Sequence, residues 1–179
     1  VNTDFLVDRE YPNVFSKRNY ENLWALTLGG EIISALSVYP YKVSINEKNF
    51  SAIGVGSVST EPAHRKKGLS TDLHLRALEY YRSEGFDFAI LWTDAIEQYA
   101  RLGYELAGTE IVYVIDKKFL NVSSNSNAQI IKYEQKFFKD LNLMQGKRTN
   151  TILRSEEEFK AYLEIPNMEI LVAIEGNTL

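Results

Sequence analysis

The 179-residue sequence contains no cysteine, which excludes a disulfide framework, a zinc–thiolate site and a thiol nucleophile. It has no apolar run near the roughly 20 residues that a membrane-spanning helix needs, and its start, VNTDFLVDREYP, lacks the basic-then-apolar pattern of a signal peptide. Only two histidines occur, His64 and His74. Neither has partners at metal-ligand spacing, so we expect no metal and interpret both as solvated side chains. These absences predict a soluble, cytoplasmic protein with no membrane partner.

An excess of positive charge is absent as well. Lys and Arg total 20 against 24 Asp and Glu, which gives a net charge of −4. Proteins that bind polyanions in general are usually basic, so nucleic acid is not an expected partner and any anion site must be local. The 45% hydrophobic content is enough for one compact core and a little more than one average domain.

The first half of the chain alternates between strand and helix patterns, which predicts a mixed α/β fold. Gly29 and Gly30 separate two strand-like stretches as in a hairpin. A further strand, FSAIGVGSVST, contains Gly54 and Gly56, which indicate a bulge or a close approach of another group.

From Gly68 the apolar residues follow a helical period instead. One face of this helix is expected to carry Leu69, Leu73, Ala77 and Tyr80, and Gly85 is a good stop for it. FDFAILWT then resembles a buried strand, DAIEQYARLGY a short helix and TEIVYVIDKKF another strand.

A polar stretch, NVSSNSNAQ (121–129), is the most linker-like part of the chain. We predict one domain over 1–120, a linker and helix over 121–150 (IIKYEQKFFKDLNLM), and the start of a second, truncated domain over 151–179. That last segment includes a helix capped by Ser155, and ILVAIEGNTL (170–179) aligns weakly with LWALTLGGEI (23–32). Two ordinary hairpins are the simpler explanation of the likeness, and whether Leu179 is the natural end stays open.

The stretch VSTEPAHRKKGLSTD (58–72) places three cations where a strand hands over to a helix. Cations at a helix N-terminus oppose the helix dipole, whereas an anion there is favoured by the dipole and by unpaired backbone N–H groups. Gly68 permits close approach of the backbone, and Ser70 and Thr71 add hydroxyl donors. The pattern is neither a Walker A loop nor a G-x-G-x-x-G turn. It indicates a phosphate site or, alternatively, a solvated basic turn.

HRKKGLS resembles the R-x-x-G-x-G/A motif of GNAT superfamily N-acetyltransferases, and VSTEP resembles the strand end that precedes it in that family. The resemblance implies a GNAT-like fold, whose central, mostly antiparallel, splayed sheet is flanked by helices. It also implies that the turn holds the pyrophosphate of acetyl-coenzyme A while the strand pairs with the pantetheine arm. Ser70 departs from the usual Gly or Ala but is small enough to fit. The coenzyme-binding residues implied here are Val58, Ser59, Thr60, Arg65, Lys66, Lys67, Gly68, Leu69, Ser70 and Thr71.

A second motif, YARLGY (99–104), resembles the family's Y-x-x-x-G-[FY] helix, in which the tyrosine faces the coenzyme sulfur. The branch it resembles most is that of the enhanced intracellular survival proteins, which are aminoglycoside acetyltransferases. In that branch the preceding turn also touches the coenzyme, which implies contacts from Asp94 and Ala95. The resemblance covers roughly residues 5–116 and implies an acetyl-CoA-dependent N-acetyltransferase.

The expected reaction transfers an acetyl group to a primary amine. A thiol titrates near 8.5 and a tyrosine near 10, so Tyr99 is the candidate general acid that protonates the departing thiolate. No carboxylate occurs in FSAIGVGSVST, and the general base stays open among Glu61, Asp72, Asp94 and Glu97, each of which also suits a solvated surface.

The acceptor is expected to be a small-molecule amine or a lysine, and a cationic one because the chain is acidic. Trp24, Trp92 and the aromatic N-terminal stretch are candidates for the acceptor pocket or for the core. The oligomeric state stays open between a monomer and a homo-oligomer. Two alternatives remain: a non-catalytic acyl-CoA-binding regulatory module, and an RNA-binding surface built on Arg65–Lys67, which the net charge disfavours.

Overall fold

The computed structural model describes residues 7–108, 127–166 and 168–175. Its helices are α1 (Val7–Glu10), α2 (Leu69–Ser83), α3 (Ile96–Ala100), α4 (Phe138–Gly146) and α5 (Glu156–Leu163), with 3₁₀ turns at Lys17–Asn22, Pro62–His64 and Gln135–Phe137. Its strands are β1 (Leu23–Leu28), β2 (Glu31–Ile45), β3 (Lys48–Thr60), β4 (Phe88–Ile90), β5 (Gln129–Lys132), β6 (Asn150–Leu153) and β7 (Leu171–Ile174). The mixed α/β class expected from the sequence is confirmed.

The main sheet has five strands in the order β1-β2-β3-β4, with β6 added to β2. All neighbours are antiparallel except β3 and β4. The β1–β2 hairpin turns at Gly29 and Gly30, both with positive φ, as the sequence predicts. The sheet is therefore mostly antiparallel.

One edge of β2 is shared by two strands with a gap between them. β1 pairs with β2 as far as Ser37, and β6 begins its pairing at Lys42. Pro40 lies in this gap, where the N–H that proline lacks is not needed for a ladder on that edge. The Asn19 side-chain amide donates to the Val38 carbonyl oxygen at 2.8 Å and satisfies part of the open edge.

β3 and β4 pair over only a few residues and then separate. The parallel register joins Ala52–Gly54 to Phe88–Ile90, but β3 continues to Thr60. The second half of β3 therefore has β2 on one side and an opening on the other. This is the splay expected beside the basic turn.

α2 covers one face of the sheet and supplies part of the core. Leu73, Ala77 and Tyr81 repeat every four residues and are buried against Leu36, Val38, Ile53 and Val55 of the strands. The sequence placed Tyr80 on this face, but Tyr80 is 48% exposed and Tyr81 only 3%. Trp24 contacts both rings at this end of the core, at centroid distances of 5.5 and 6.3 Å, so its role is packing.

The C-terminal elements differ in part from expectation. Residues 130–132, expected to begin a helix, lie instead in β5, and the helix starts only at Phe138. The short run of isoleucines explains this, because β-branched side chains favour strands. α5 is capped by Ser155 as predicted, and the Glu158 side chain completes a capping box.

The second domain stays a prediction. β6, at its proposed start, pairs with β2 of the main sheet, whereas β5 and β7 form a separate two-stranded sheet. The predicted strand over 109–119 and most of the linker lie outside the described residues. No helix in the described part of the chain is long and apolar enough to cross a membrane.

Candidate active site

The end of β3 carries a β-bulge. Ala35 pairs with Ser59 and Ser37 with Gly56, so two residues of β3, Ser57 and Val58, face the single residue between them on β2. Ser57 adopts a left-handed conformation with φ 51°. A bulge leaves its extra residue outside the ladder and bends the strand. The sequence signal for this bulge, Gly54 and Gly56, lies immediately before it.

The strand beyond the bulge is held by a buried serine. The Ser34 hydroxyl donates to the Ser59 carbonyl oxygen at 2.9 Å and lies 3.0 Å from the Thr60 hydroxyl. The Arg65 Nε donates to the Thr60 carbonyl oxygen at 2.9 Å and so ties the following turn to the same strand end. The strand end and the basic turn are therefore fixed relative to each other.

The turn enters α2 through two left-handed residues. Lys66 has φ 60° and Gly68, the N-cap, has φ 77°. Gly68 makes no side-chain cap, and the first helical bond runs from the Asp72 N–H to its carbonyl oxygen at 2.9 Å. The N–H groups of the first helical turn are left for an external acceptor, since a helix cannot use them itself.

The cations of the turn have no counterion among the described residues. Across the three described ranges, no carboxylate lies within salt-bridge distance of Arg65, Lys66 or Lys67. Three adjacent exposed cations beside unused N–H donors create a local positive potential on an acidic protein. The solvated-turn interpretation leaves this combination unexplained, whereas an anionic ligand accounts for it.

These parts line a groove of about 310 Å³, here called the turn groove. It brings together most of the residues that the sequence implicated: Val58, Ser59, Thr60, Arg65, Lys66, Gly68, Leu69, Ser70, Ala95 and Tyr99. Thr71 and Asp94 line an adjoining depression that also contacts Ala95, while Lys67 lines neither. His64, Thr93 and Gln98 complete the groove and were not predicted; the first precedes the arginine motif, and the others flank the predicted Ala95 and Tyr99.

Tyr99 faces the turn from across the groove. It lies on α3, and its ring contacts those of Tyr104 and His74 at centroid distances of 6.0 and 5.7 Å. Burial raises the pKa of Tyr99 above its usual value of 10, because the charged phenolate is disfavoured away from water. The hydroxyl is therefore protonated at neutral pH and available as a donor.

His74 is buried behind Tyr99, which corrects the expectation of a solvated side chain. It is 1% exposed, and its Nε2 lies 2.9 Å from the Tyr104 hydroxyl. Burial lowers the pKa of His74, because the imidazolium is poorly solvated there. The overlooked signal was spacing: position 74 lies three residues before Ala77 and seven before Tyr81, on the buried side of α2.

A larger space, here called the aromatic cavity, lies on the other side of the β3–β4 opening and measures about 780 Å³. Residues 54–57 of β3 form its floor, and its walls come from β2, the N-terminal segment and the C-terminal elements. The wall side chains include Tyr11, Phe15, Tyr39, Tyr41, Trp92, Ile152, Arg154 and Tyr162. Trp92 and the N-terminal aromatics thus line a pocket, whereas Trp24 belongs to the core.

Gly54 makes room for one of these walls. A Cβ added there would stand 3.3 Å from the Tyr41 ring, tighter than ordinary contact. Tyr41 stacks on Tyr39 at a centroid distance of 6.2 Å, and the Tyr39 hydroxyl donates to Glu158 on α5. The elements β6 and α5 therefore form part of the cavity wall. The first 120 residues alone do not contain this wall.

The groove and the cavity meet at the bulge. Ser57 lines the cavity and its neighbour Val58 lines the groove. In the same way, Trp92 lines the cavity and Thr93 lines the groove. A ligand bound in the groove can therefore present its end to a molecule in the cavity through the β3–β4 opening. The described residues place no Asp or Glu in either lining, and they contain no group of three or more metal-ligating side chains.

The acetyltransferase (GNAT) domain family matches residues 6–107. No curated protein matches the chain significantly. Among solved structures, a conserved protein of unknown function from Enterococcus faecalis V583 aligns with a TM-score of 0.68 at 15% identity, covering 85% of this chain and 40% of the other. A GCN5-related N-acetyltransferase from Kribbella flavida aligns with a TM-score of 0.65 at 18% identity, covering 85% and 40%.

Eis1 from Mycobacterium abscessus aligns with a TM-score of 0.63 at 15% identity, covering 87% of this chain and 42% of Eis1. At these identities the structures support the fold alone, and the chain spans about two fifths of the length of all three. The family match extends over more than half of the chain and includes the bulge, the basic turn and Tyr99. The chain therefore belongs to the GNAT family of acetyltransferases.

Proposed function

We propose that the protein transfers the acetyl group of acetyl-CoA to a primary amine of a small molecule. The observation that supports this most directly is the turn groove. It joins an uncapped helix N-terminus and a left-handed glycine to a bulged strand end. Beside it lie three cations that meet no carboxylate in the part of the chain that the structure describes.

The residues of the groove fit the coenzyme. The first-turn N–H groups of α2 would bind the pyrophosphate, with Arg65, Lys66 and Lys67 adding positive charge around it. The bulged end of β3, Val58–Thr60, would pair with the amide-containing arm of the coenzyme, because β4 no longer occupies that edge. Asp94 and Ala95, at the turn into α3, would contact the same arm from the opposite side.

The chemistry then takes place at the opening between groove and cavity. The amine nitrogen forms a bond to the acetyl carbon, and the bond from that carbon to sulfur breaks. Tyr99 donates its proton to the departing sulfur and regains one from the nitrogen, which must lose a proton to become an amide. Because neither lining includes a carboxylate, the amine is expected to bind as the free base or to lose its proton to water.

The test is release of free thiol from acetyl-CoA in the presence of a panel of primary amines. Tyr99→Phe should lower kcat by about 10²–10³-fold and leave coenzyme affinity unchanged, the size expected for loss of a positioned acid. Tyr20→Phe, at an exposed ring outside the site, is the matched control and should have no effect.

Two results would count against the proposal. Coenzyme binding without thiol release for any amine would favour the non-catalytic acyl-CoA-binding module. Full activity of Tyr99→Phe would remove Tyr99 as the acid while leaving the transferase assignment intact.

A further inference from the structure

Among the described residues that line the aromatic cavity, the one charged side chain is Arg154, at one end. Its guanidinium sits over the Tyr162 ring, 4.9 Å from the ring centre. Within the described residues it has no carboxylate at salt-bridge distance. A half-buried arginine stacked on an aromatic ring keeps its planar fork of N–H donors available to a ligand.

Tyrosine hydroxyls surround the same end. The Tyr39 hydroxyl is used by Glu158, but those of Tyr41 and Tyr162 have no hydrogen-bond partner in the described part of the chain. Burial raises the pKa of Tyr41, so it remains a neutral donor. The guanidinium and the two tyrosine hydroxyls at this end can therefore all donate hydrogen bonds to a ligand.

The Glu158 carboxylate does not accept hydrogen bonds from these donors. One of its oxygens accepts from Tyr39, and the other accepts from the Ser155 N–H at 2.7 Å and the Ser155 hydroxyl at 2.8 Å. Its carboxylate is thus committed to the wall and to the cap of α5. Its charge does limit the anion that Arg154 can hold, because a multiply charged group would be repelled.

Building on the proposed function, we propose that Arg154, with Tyr41 and Tyr162, binds a carboxylate carried by the acceptor. One guanidinium beside one committed carboxylate suits a monoanion, and a carboxylate matches the guanidinium fork in two parallel hydrogen bonds. A polycationic acceptor has no carboxylate in the lining to pair with. The subsite thus selects an acceptor that carries a carboxylate in addition to its amine, unlike the purely cationic acceptor that overall composition suggests.

The strand register sets the distance between this subsite and the reacting amine. Leu153 pairs with Lys42 and Lys42 with Ser51, so Arg154 lies level with Tyr41 and Ala52. The bulge at Ser57, where groove and cavity meet, lies five residues further along β3, roughly 16 Å at about 3.3 Å per residue. The amine and carboxylate of a free α-amino acid sit on one carbon and cannot span this. The acceptor is an elongated apolar molecule with the amine at one end and the carboxylate at the other.

An ω-amino acid and a short apolar peptide both have this chemistry, and matched pairs distinguish them. The probes are ω-aminododecanoate with ω-aminododecanamide, and tetra-alanine with its C-terminal amide, which approach the required span; spermidine represents polycations. Thiol release gives KM for each probe. Quenching of Trp92, which is 75% exposed at the cavity, gives a dissociation constant in the presence of coenzyme A that does not depend on turnover.

The carboxylate member of at least one pair should be preferred over its amide by about tenfold to a hundredfold, the range of a charge-assisted pair. Arg154→Gln should abolish that preference by raising KM for the carboxylate alone, and Arg154→Lys should restore part of it. Arg148→Gln, at an exposed arginine outside the cavity, is the control and should retain the full preference. Equal melting temperatures of the variants would show that the fold is intact. The comparison of each carboxylate with its amide is also made in the wild-type protein, where no substitution can disturb the fold.

The outcomes separate this proposal from the proposed function. Activity with spermidine or the amides equal to that with the carboxylates would overturn the Arg154 subsite and leave the transferase in place. Absence of thiol with every amine would overturn the transferase. The quenching titration would then still support the subsite if Arg154→Gln weakened only the carboxylates, or overturn it if each pair bound equally.

Discussion

The turn groove and the aromatic cavity lie on opposite sides of one opening but are built from different atoms. The groove offers backbone N–H groups and polar side chains from two short stretches of chain, 58–70 and 93–99. The cavity offers large rings and one arginine from segments that are far apart in the sequence. Backbone donors recognise a phosphate whatever the rest of the ligand is, whereas side-chain walls discriminate by shape and charge. The groove therefore suits the proposed coenzyme, and the cavity suits the proposed acceptor.

The largest effect is expected from Gly68→Val, which should abolish the groove and spare the cavity. A β-branched residue is strained at φ 77°, so the turn must shift. Loss of even two charged hydrogen bonds weakens binding by about 100-fold or more. Calorimetric titration with coenzyme A measures this.

Gly85→Val is the matched control for that variant. Gly85 has φ 85° at the other end of the same helix, and at both glycines an added Cβ meets no atom within 4 Å. Both variants should lose similar stability, but only Gly68→Val should lose the coenzyme. Equal loss of coenzyme affinity in the two would mean that the turn has no specific role.

A smaller effect is expected from Trp92→Ala, which should impair the cavity and spare the groove. Removal of a large ring from a binding wall commonly costs about 2 kcal/mol, or roughly 30-fold in affinity. Acceptor KM should rise by that order, coenzyme affinity should not change, and Trp92→Phe should recover most of the loss. Steady-state kinetics with both substrates varied measures this, and a parallel loss of coenzyme affinity would contradict the division.

The smallest effect concerns His74, whose ring contacts that of Tyr99 and which lines neither the groove nor the cavity. Its folded-state pKa is lowered, so the unfolded chain binds a proton first as the pH falls below about 6.5. Stability should be fully present above that pH and decline below it. His74→Gln, which cannot take up that proton, should show a flatter decline between pH 7.5 and 5.5 in thermal melts. Parallel melting curves for the two proteins would refute this assignment.

The sequence predicts the groove well because its determinants are local. The bulged strand, the cations, Gly68 and the helix start lie within fifteen consecutive residues, and each has a recognised signature. Two residues are exceptions. Lys67 carries charge beside the groove without lining it. His74 was expected at the surface because histidine is polar, but it lies on the buried face of α2.

The cavity could not be predicted because its walls meet only through long-range pairing. Arg154 and Tyr162 reach the site because β6 pairs with β2 across more than 100 residues of chain, and Glu158 then bonds to Tyr39. Nothing in the local pattern around Leu153 shows which strand edge it joins. The gap left at Val38–Tyr41 between β1 and β6 is likewise a property of the folded sheet.

Hydrogen exchange of the backbone amides on addition of coenzyme A tests the division between groove and cavity most directly. The account predicts slower exchange at residues 66–71, whose N–H groups would bind the pyrophosphate, and little change at residues 152–162. An elongated amino-carboxylate acceptor should give the reverse pattern. Coenzyme binding without protection at residues 66–71 would contradict the account.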